Sequence, residues 1–259
     1  MKFLVFGFSV TAETSGKNGY VERCAARCTT ERPAFDVTRV GIGGLQPNHA
    51  RHLIEGILDE TKPDALILEI ATAVYRQRPK TDEQIADHTA TLEAAFEAGV
   101  TAVDVAPLWG DTEALAGDVI GDREIRVITR GGALLEDGVV HHRFDADSLR
   151  ADVDRSRERL GRDVLDVWLL HDPPEEALGG SDDPLATAAK LVADGAVRHW
   201  GVSTTQQEVA ERALAAGAKA ICIPHHLFAS DLFADLQESL EDAGAGVLAR
   251  SPLCHGLLT

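Results

Sequence analysis

Five side chains in this sequence could do chemistry, and each stands at or just past the end of an apolar run. Ser9 follows Lys2–Phe6, Asp104 closes Thr101–Val105 with Trp109 shortly after, Arg130 follows Ile125–Thr129, and His171 follows Leu165–Leu170. Asp104 and His171 can carry charge or hydrogen-bond a ligand. Arg130 is permanently charged and does not deprotonate, while the Trp109 indole N–H donates a hydrogen bond without releasing a proton at useful pH. The aromatic face of Trp109 and the guanidinium of Arg130 are suited to cation–π stacking. A serine is a strong nucleophile only beside a base, so Ser9 reads either as a nucleophile at a strand end or as a small polar residue capping a βα turn. Asp104 and His171 likewise read either as a polar site or as groups that bond their neighbours.

No metal centre is expected. His141-His142 and His225-His226 lack metal-ligand spacing with a third ligand nearby, and Cys24, Cys28, Cys222 and Cys254 form no paired CxxC elements.

The elements that must position these residues alternate between strand and helix. Apolar runs at 2–6, 36–41 and 65–70 are separated by helix-compatible stretches at 19–28 and 48–60. Near-continuous apolar strands of this kind imply a parallel sheet covered on both faces. A polar connection at Tyr75–Asp82 follows. After it the spacing predicts a helix over 83–98, carrying Ile85, Leu92 and Phe96 inward and stopping at Gly99, then strands 101–105 and 125–129. A helix over 146–160, with Leu149, Val153 and Leu160 inward, precedes strand 165–170. Strands 197–202, 220–223 and 246–249 alternate with helices 184–193, 206–215 and 232–243. Gly131-Gly132 and Gly43-Gly44 read as turn glycines, and Asp172-Pro173-Pro174 as a fixed loop.

Within residues 79–259, four ordered segments resemble the aldo-keto reductases. They are Asp104-Val105-Ala106-Pro107-Leu108-Trp109-Gly110-Asp111-Thr112-Glu113, then Asp163 to His171, then Gly195 to Ser203, and finally Arg250-Ser251-Pro252-Leu253-Cys254-His255-Gly256. The resemblance implies a (β/α) barrel with its chemistry at the C-terminal strand ends. It also implies an NADP-dependent carbonyl reductase using an Asp, a Tyr proton donor, a Lys and a His. Asp104 and His171 match that set; the Tyr place is held by Trp109 and the Lys place by Arg130. Ser203, Ser251, Leu253 and Gly256 match positions that contact the nicotinamide and pyrophosphate, while the family's Gln and Asn beyond strand six correspond to Cys222 and His226. The sequence ends at Thr259, ahead of the βα unit that grips the adenosine 2′-phosphate in relatives, so an incomplete NADPH site is expected.

Residues 1–78 bear a second resemblance, to the first half of an SGNH (GDSL-like) hydrolase. Phe6-Gly7-Phe8-Ser9 is similar to the nucleophile block, with Phe8 in the usual Asp place, and Gly41–Gly44 is similar to the oxyanion block. Ala73 stands where that family carries an Asn, and no Asp-x-x-His block supplies the base.

The expected fold is therefore α/β: a TIM-barrel-like parallel barrel of aldo-keto reductase type over 79–259, completed by an SGNH/flavodoxin-like βαβαβ segment over 1–78, in one compact body. Strand 65–70 is expected to fill the first barrel position and strand 2–6 the last. Three functions stand open. One is an NADPH-dependent carbonyl reductase with altered catalytic positions, one an ester or amide hydrolase using Ser9, and one a non-catalytic fold hybrid, either a binding protein or a gene-fusion product; the expected partner is a small molecule at the C-terminal barrel mouth. The 44% hydrophobic content over 259 residues supports a real core, and no run approaches the length of a membrane helix. The formal charge of -17 argues against nucleic acid and anionic membranes as partners, since both require clustered Lys and Arg. A cytoplasmic protein is expected.

Overall fold

The computed structural model describes residues 2–7, 36–41, 65–69, 82–136, 139–226 and 228–251. The chain divides into two units, Met1–Val100 with Ser251–Thr259, and Thr101–Arg250. Each is described by itself.

In the first unit, β1 (Lys2–Gly7), β2 (Asp36–Gly41) and β3 (Ala65–Glu69) form a parallel sheet in the order β2-β1-β3. This order is shared by doubly wound sheets in general and so indicates topology rather than a hydrolase. The expectation that β1 completes the later barrel is corrected here. Phe3 to Gly7 are ladder-paired on both sides, with Val37–Gly41 on one and Ala65–Glu69 on the other, so β1 has no free edge to offer. α1 (Asp82–Glu97) belongs to this unit and ends before Gly99, which adopts φ 92°. Its buried side chains include Thr91, Ala94, Ala95 and Phe96, whereas Ile85, expected inward, is 42% exposed.

The second unit is a curled parallel sheet, half of a barrel. Its strands are β4 (Ala102–Asp104), β5 (Arg126–Gly131), β8 (Leu165–His171), β9 (Val197–Ser203), β10 (Ala220–Pro224) and β11 (Gly246–Arg250), each beside its sequence neighbour in that order. Helices α2 (Thr112–Ile120), α3 (Ala146–Leu160), α4 (Pro184–Ala193), α5 (Gln207–Ala215) and α6 (Asp231–Ala243) connect them. Repeated βα units of this length produce parallel neighbours, because each crossover helix returns the chain to the same end of the sheet. α3 shows how the sequence sets its limits. Asp145 caps it by accepting from the Ser148 N–H at 2.9 Å, Gly161 ends it in a left-handed conformation, and Leu149, Val153 and Leu160 are buried as their spacing predicts.

A feature the periodicity misses is the antiparallel hairpin of β6 (Ala133–Glu136) and β7 (Val139–His142). Its signal lies in the intervening Asp137-Gly138, a pair favoured in two-residue hairpin connections. Of the two glycines before it, only Gly132 needs a positive φ, at 87°. Gly131 is required for a different reason, since a Cβ there would lie 2.3 Å from the Trp168 ring. Among the described residues no helix is long and apolar enough to cross a membrane.

Candidate active site

The concave face of the second unit can be read from its core. Ile128, Leu169, Ala220 and Cys222 pack together there, with Val167 and Leu248 against them. Alternate residues of a strand share a face, so Arg130, His171 and Arg250, each two positions beyond one of these, lie on the same side at the C-terminal strand ends. Ser203 joins them, because it pairs in register with both His171 and Cys222.

Arg130 is the central residue and is only 3% exposed. Its Nη1 donates to Asp104 Oδ1 at 2.5 Å and its Nη2 to Oδ2 at 2.8 Å, a two-pronged pair. Nη1 also donates to the Val105 carbonyl at 3.1 Å, and Nη2 lies 3.6 Å from the Cys222 sulfur. Strands β5 and β10 are three steps apart in the sheet, roughly 14 Å along a flat surface. One side chain bridges them only because the sheet curls. Trp109 lies over the guanidinium, 5.1 Å from Cζ to the ring centre, so the stacking suggested by the two residue types is present. Burial alone would lower the Arg130 pKa, but the charge and hydrogen bonds of Asp104 outweigh it and the net shift is upward. This guanidinium stays protonated.

His171 is held down to about pKa 3, first by burial and then by the charges of Arg130 and Arg250. It is therefore a neutral imidazole, able to donate through one nitrogen only. Burial raises the Cys222 thiol, partly offset by Arg130, so it remains a thiol. The Ser203 hydroxyl is buried and has no hydrogen-bond partner among the described residues. Asp172 adopts φ 49°, donates its N–H to the Ser203 carbonyl at 2.8 Å, and approaches Arg250 Nη1 at 3.4 Å through Oδ2. The loop after His171 is thus shaped by a left-handed Asp172, not by its two prolines alone.

Behind β5, two buried carboxylates hold the segment that carries Arg130. Glu113 accepts from the Thr129 hydroxyl at 2.7 Å and from Arg159 at 3.2 Å, and Asp152 accepts from the Gly132 N–H at 2.7 Å and also pairs with Arg155. Burial raises the Asp152 pKa above the usual carboxylate range despite these donors.

Asp104, Trp109, Arg130, His171 and Ser203 are therefore brought to one strand-end cluster. Ser251 is the last described residue, in a left-handed conformation with φ 50°, and falls in the other unit. Ser9, Leu253 and Gly256 lie outside the described residues. His226 turns to a local contact, accepting from the Phe228 N–H at 3.2 Å. Sequence reasoning missed Cys222 as a neighbour of Arg130, and missed Arg250 and Asp172. Arg250 carried a signal of its own, a polar residue closing an apolar strand on the Leu248 face. Among the described residues no group of three His, Cys, Asp or Glu could hold a metal ion.

Comparison with known proteins bears on what this cluster derives from. The chain is 34% identical over 180 residues to aldo-keto reductase str7 of Strobilurus tenacellus, covering 65% of this chain and 51% of that protein. It thus spans about half the length of that curated relative. The glycerol dehydrogenase of Gluconobacter oxydans superposes with a TM-score of 0.58 at 27% identity, covering 71% of this chain and 57% of that one. An aldo-keto reductase from Klebsiella pneumoniae, solved in complex with NADPH, superposes with a TM-score of 0.55 at 23% identity, covering 68% and 61%. Residues 75–259 match the sequence profile of the Aldo/keto reductase family, and the chain belongs to that family.

Proposed function

We propose that the second unit is a carbonyl-binding site of the oxidoreductase type. It binds a nicotinamide cofactor and a small carbonyl compound at the C-terminal strand ends, and it lacks the family's usual proton relay, so that it reduces its ligand slowly. The Arg130–Asp104 pair closed under Trp109 carries this reading. Reduction of a carbonyl leaves an alkoxide that must take a proton from a group within hydrogen-bond reach. Trp109 cannot release one, and Arg130, buried and two-pronged to Asp104, cannot either. The neutral His171 can donate a hydrogen bond to the carbonyl oxygen and so orient it, and the proton that completes the alcohol would come from solvent water, which makes the step slow.

The buried, partnerless Ser203 hydroxyl fits a polar group such as the nicotinamide carboxamide. Residues described here thus suit the nicotinamide end, and NADP, bound by a solved relative, is the proposed cofactor. When bound, the nicotinamide would supply the hydride; Ser203 would hold the ring's amide and His171 the carbonyl oxygen, beside the Arg130–Trp109 pair.

The test is a fluorescence titration with NADPH followed by turnover assays on small aldehydes and ketones. Saturable binding is expected, with turnover at least about 100-fold below that of an enzyme with a working acid catalyst. The double variant Trp109→Tyr/Arg130→Lys should raise turnover by about 100-fold and leave the NADPH Kd within about threefold. No binding at millimolar NADPH, or turnover of about 10 per second in the unaltered protein, would overturn the reading.

A further inference from the structure

We propose that Arg250 is the anion anchor of this site and that the ligand is a carbonyl compound bearing a carboxylate, such as a 2-oxo acid. The proposal names the substrate class of the carbonyl site above and rests on that reading.

Two arginines reach across the curled sheet, and they differ in how fully they are paired. Arg130 makes four polar contacts and is almost completely buried. Its charge is fully engaged. Arg250, at the end of β11, reaches the loop after β8, three steps away in the sheet, and among the described residues makes a single side-chain contact there, 3.4 Å to Asp172 Oδ2. Its side chain is 30% exposed. A contact of that length is at the outer limit of a hydrogen bond, and a half-exposed pair of this kind contributes little.

The same Asp172 oxygen lies 3.9 Å from His171 Nε2. A charged guanidinium at 3.4 Å and an imidazole nitrogen at 3.9 Å therefore flank one carboxylate oxygen, and neither bonds it well. The other oxygen, Oδ1, is buried with no partner among the described residues. The carboxylate is brought there by a left-handed backbone that residues other than glycine adopt infrequently. Asp172 thus marks a place where a carboxylate is attracted but poorly held. A ligand carboxylate free to orient itself can meet Arg250 in the two-pronged geometry that Asp172 does not achieve. In a 2-oxo acid the carbonyl adjoins the carboxylate, so an anion held at Arg250 also brings the group to be reduced beside the His171 imidazole. In a protein of formal charge -17, a local cation of this sort is what an anionic ligand needs.

Titration calorimetry with pyruvate and with neutral pyruvamide, each with and without NADPH, tests this. Pyruvate is expected to bind about tenfold more tightly than pyruvamide. Arg250→Met should abolish that preference and leave pyruvamide binding within about twofold, while Asp172→Asn, which tolerates the left-handed conformation, should tighten pyruvate by a few-fold. Equal binding of the two compounds, a preference that survives Arg250→Met, or weaker pyruvate binding in Asp172→Asn would overturn the proposal. Absence of NADPH binding alone would overturn the preceding reading, whereas the pyruvate preference measured without cofactor still reports on Arg250.

Discussion

At the scale of single residues, the site is governed by which charges are compensated. His171 is flanked by Arg130 and Arg250 and is buried, so the neutral form is favoured down to about pH 3. Its ordinary value is about 6.5. Between those limits the unfolded chain holds a proton that the folded chain does not, so stability contributed by the neutral imidazole is present above about pH 6.5 and is lost as pH falls. Chemical denaturation of the protein and of His171→Gln at pH 7 and pH 4.5 should show the variant losing less on acidification, by about 1 kcal/mol or more. Equal losses would show that His171 is protonated freely in the folded state. The residue types at 104, 109, 130 and 171 were legible in the sequence, and so was the Trp109–Arg130 contact, because a flat aromatic and a guanidinium stack wherever they meet. Cys222 was not legible as their neighbour, since its sulfur meets Arg130 only across strands far apart in the chain.

At the scale of elements, the C-terminal end of β5 is braced from two helices. Glu113 on α2 and Asp152 on α3 take hydrogen bonds from Thr129 and Gly132, the residues on either side of Arg130-Gly131. Glu113→Ala would leave the buried Thr129 hydroxyl without a partner, at a cost of about 1–3 kcal/mol, whereas Glu113→Gln keeps an acceptor and should cost less. Thermal unfolding of the two variants checks this, and equal shifts in Tm would show that Thr129 does not depend on Glu113. Gly131→Ala should be destabilising by about 1–3 kcal/mol, because the added methyl meets the buried Trp168 ring; an unchanged Tm would mean that the ring moves aside. Helices and strands from 146 onward were readable nearly to the residue, since their apolar periods are long and their caps are explicit. The β6–β7 hairpin was not, because four-residue strands carry too little period to register.

At the scale of the molecule, the sheet of the second unit is a half-barrel whose concave face gathers residues from both of its ends. Arg130 and Arg250 each span three strand steps, which a flat sheet would forbid. The high negative charge repels itself, so raising NaCl from about 20 to 200 mM should raise Tm by a few degrees as this repulsion is screened. A fall would show that the ion pairs of the concave face and helix surfaces dominate instead. The expected completion of this sheet by β1 failed for a reason of edges. β1 is paired on both sides, by β2 and β3, and so offers no edge.

By itself the sequence determined the alternation of strand and helix, the family of residues 75–259, and the identity of the groups at the strand ends, because these depend on local period, caps and ordered motifs. Only the tertiary structure decided which charges cancel. Whether an arginine is bound by two prongs or left with one long contact depends on sheet curvature and on the backbone of a single loop residue, and neither has a signature in local sequence.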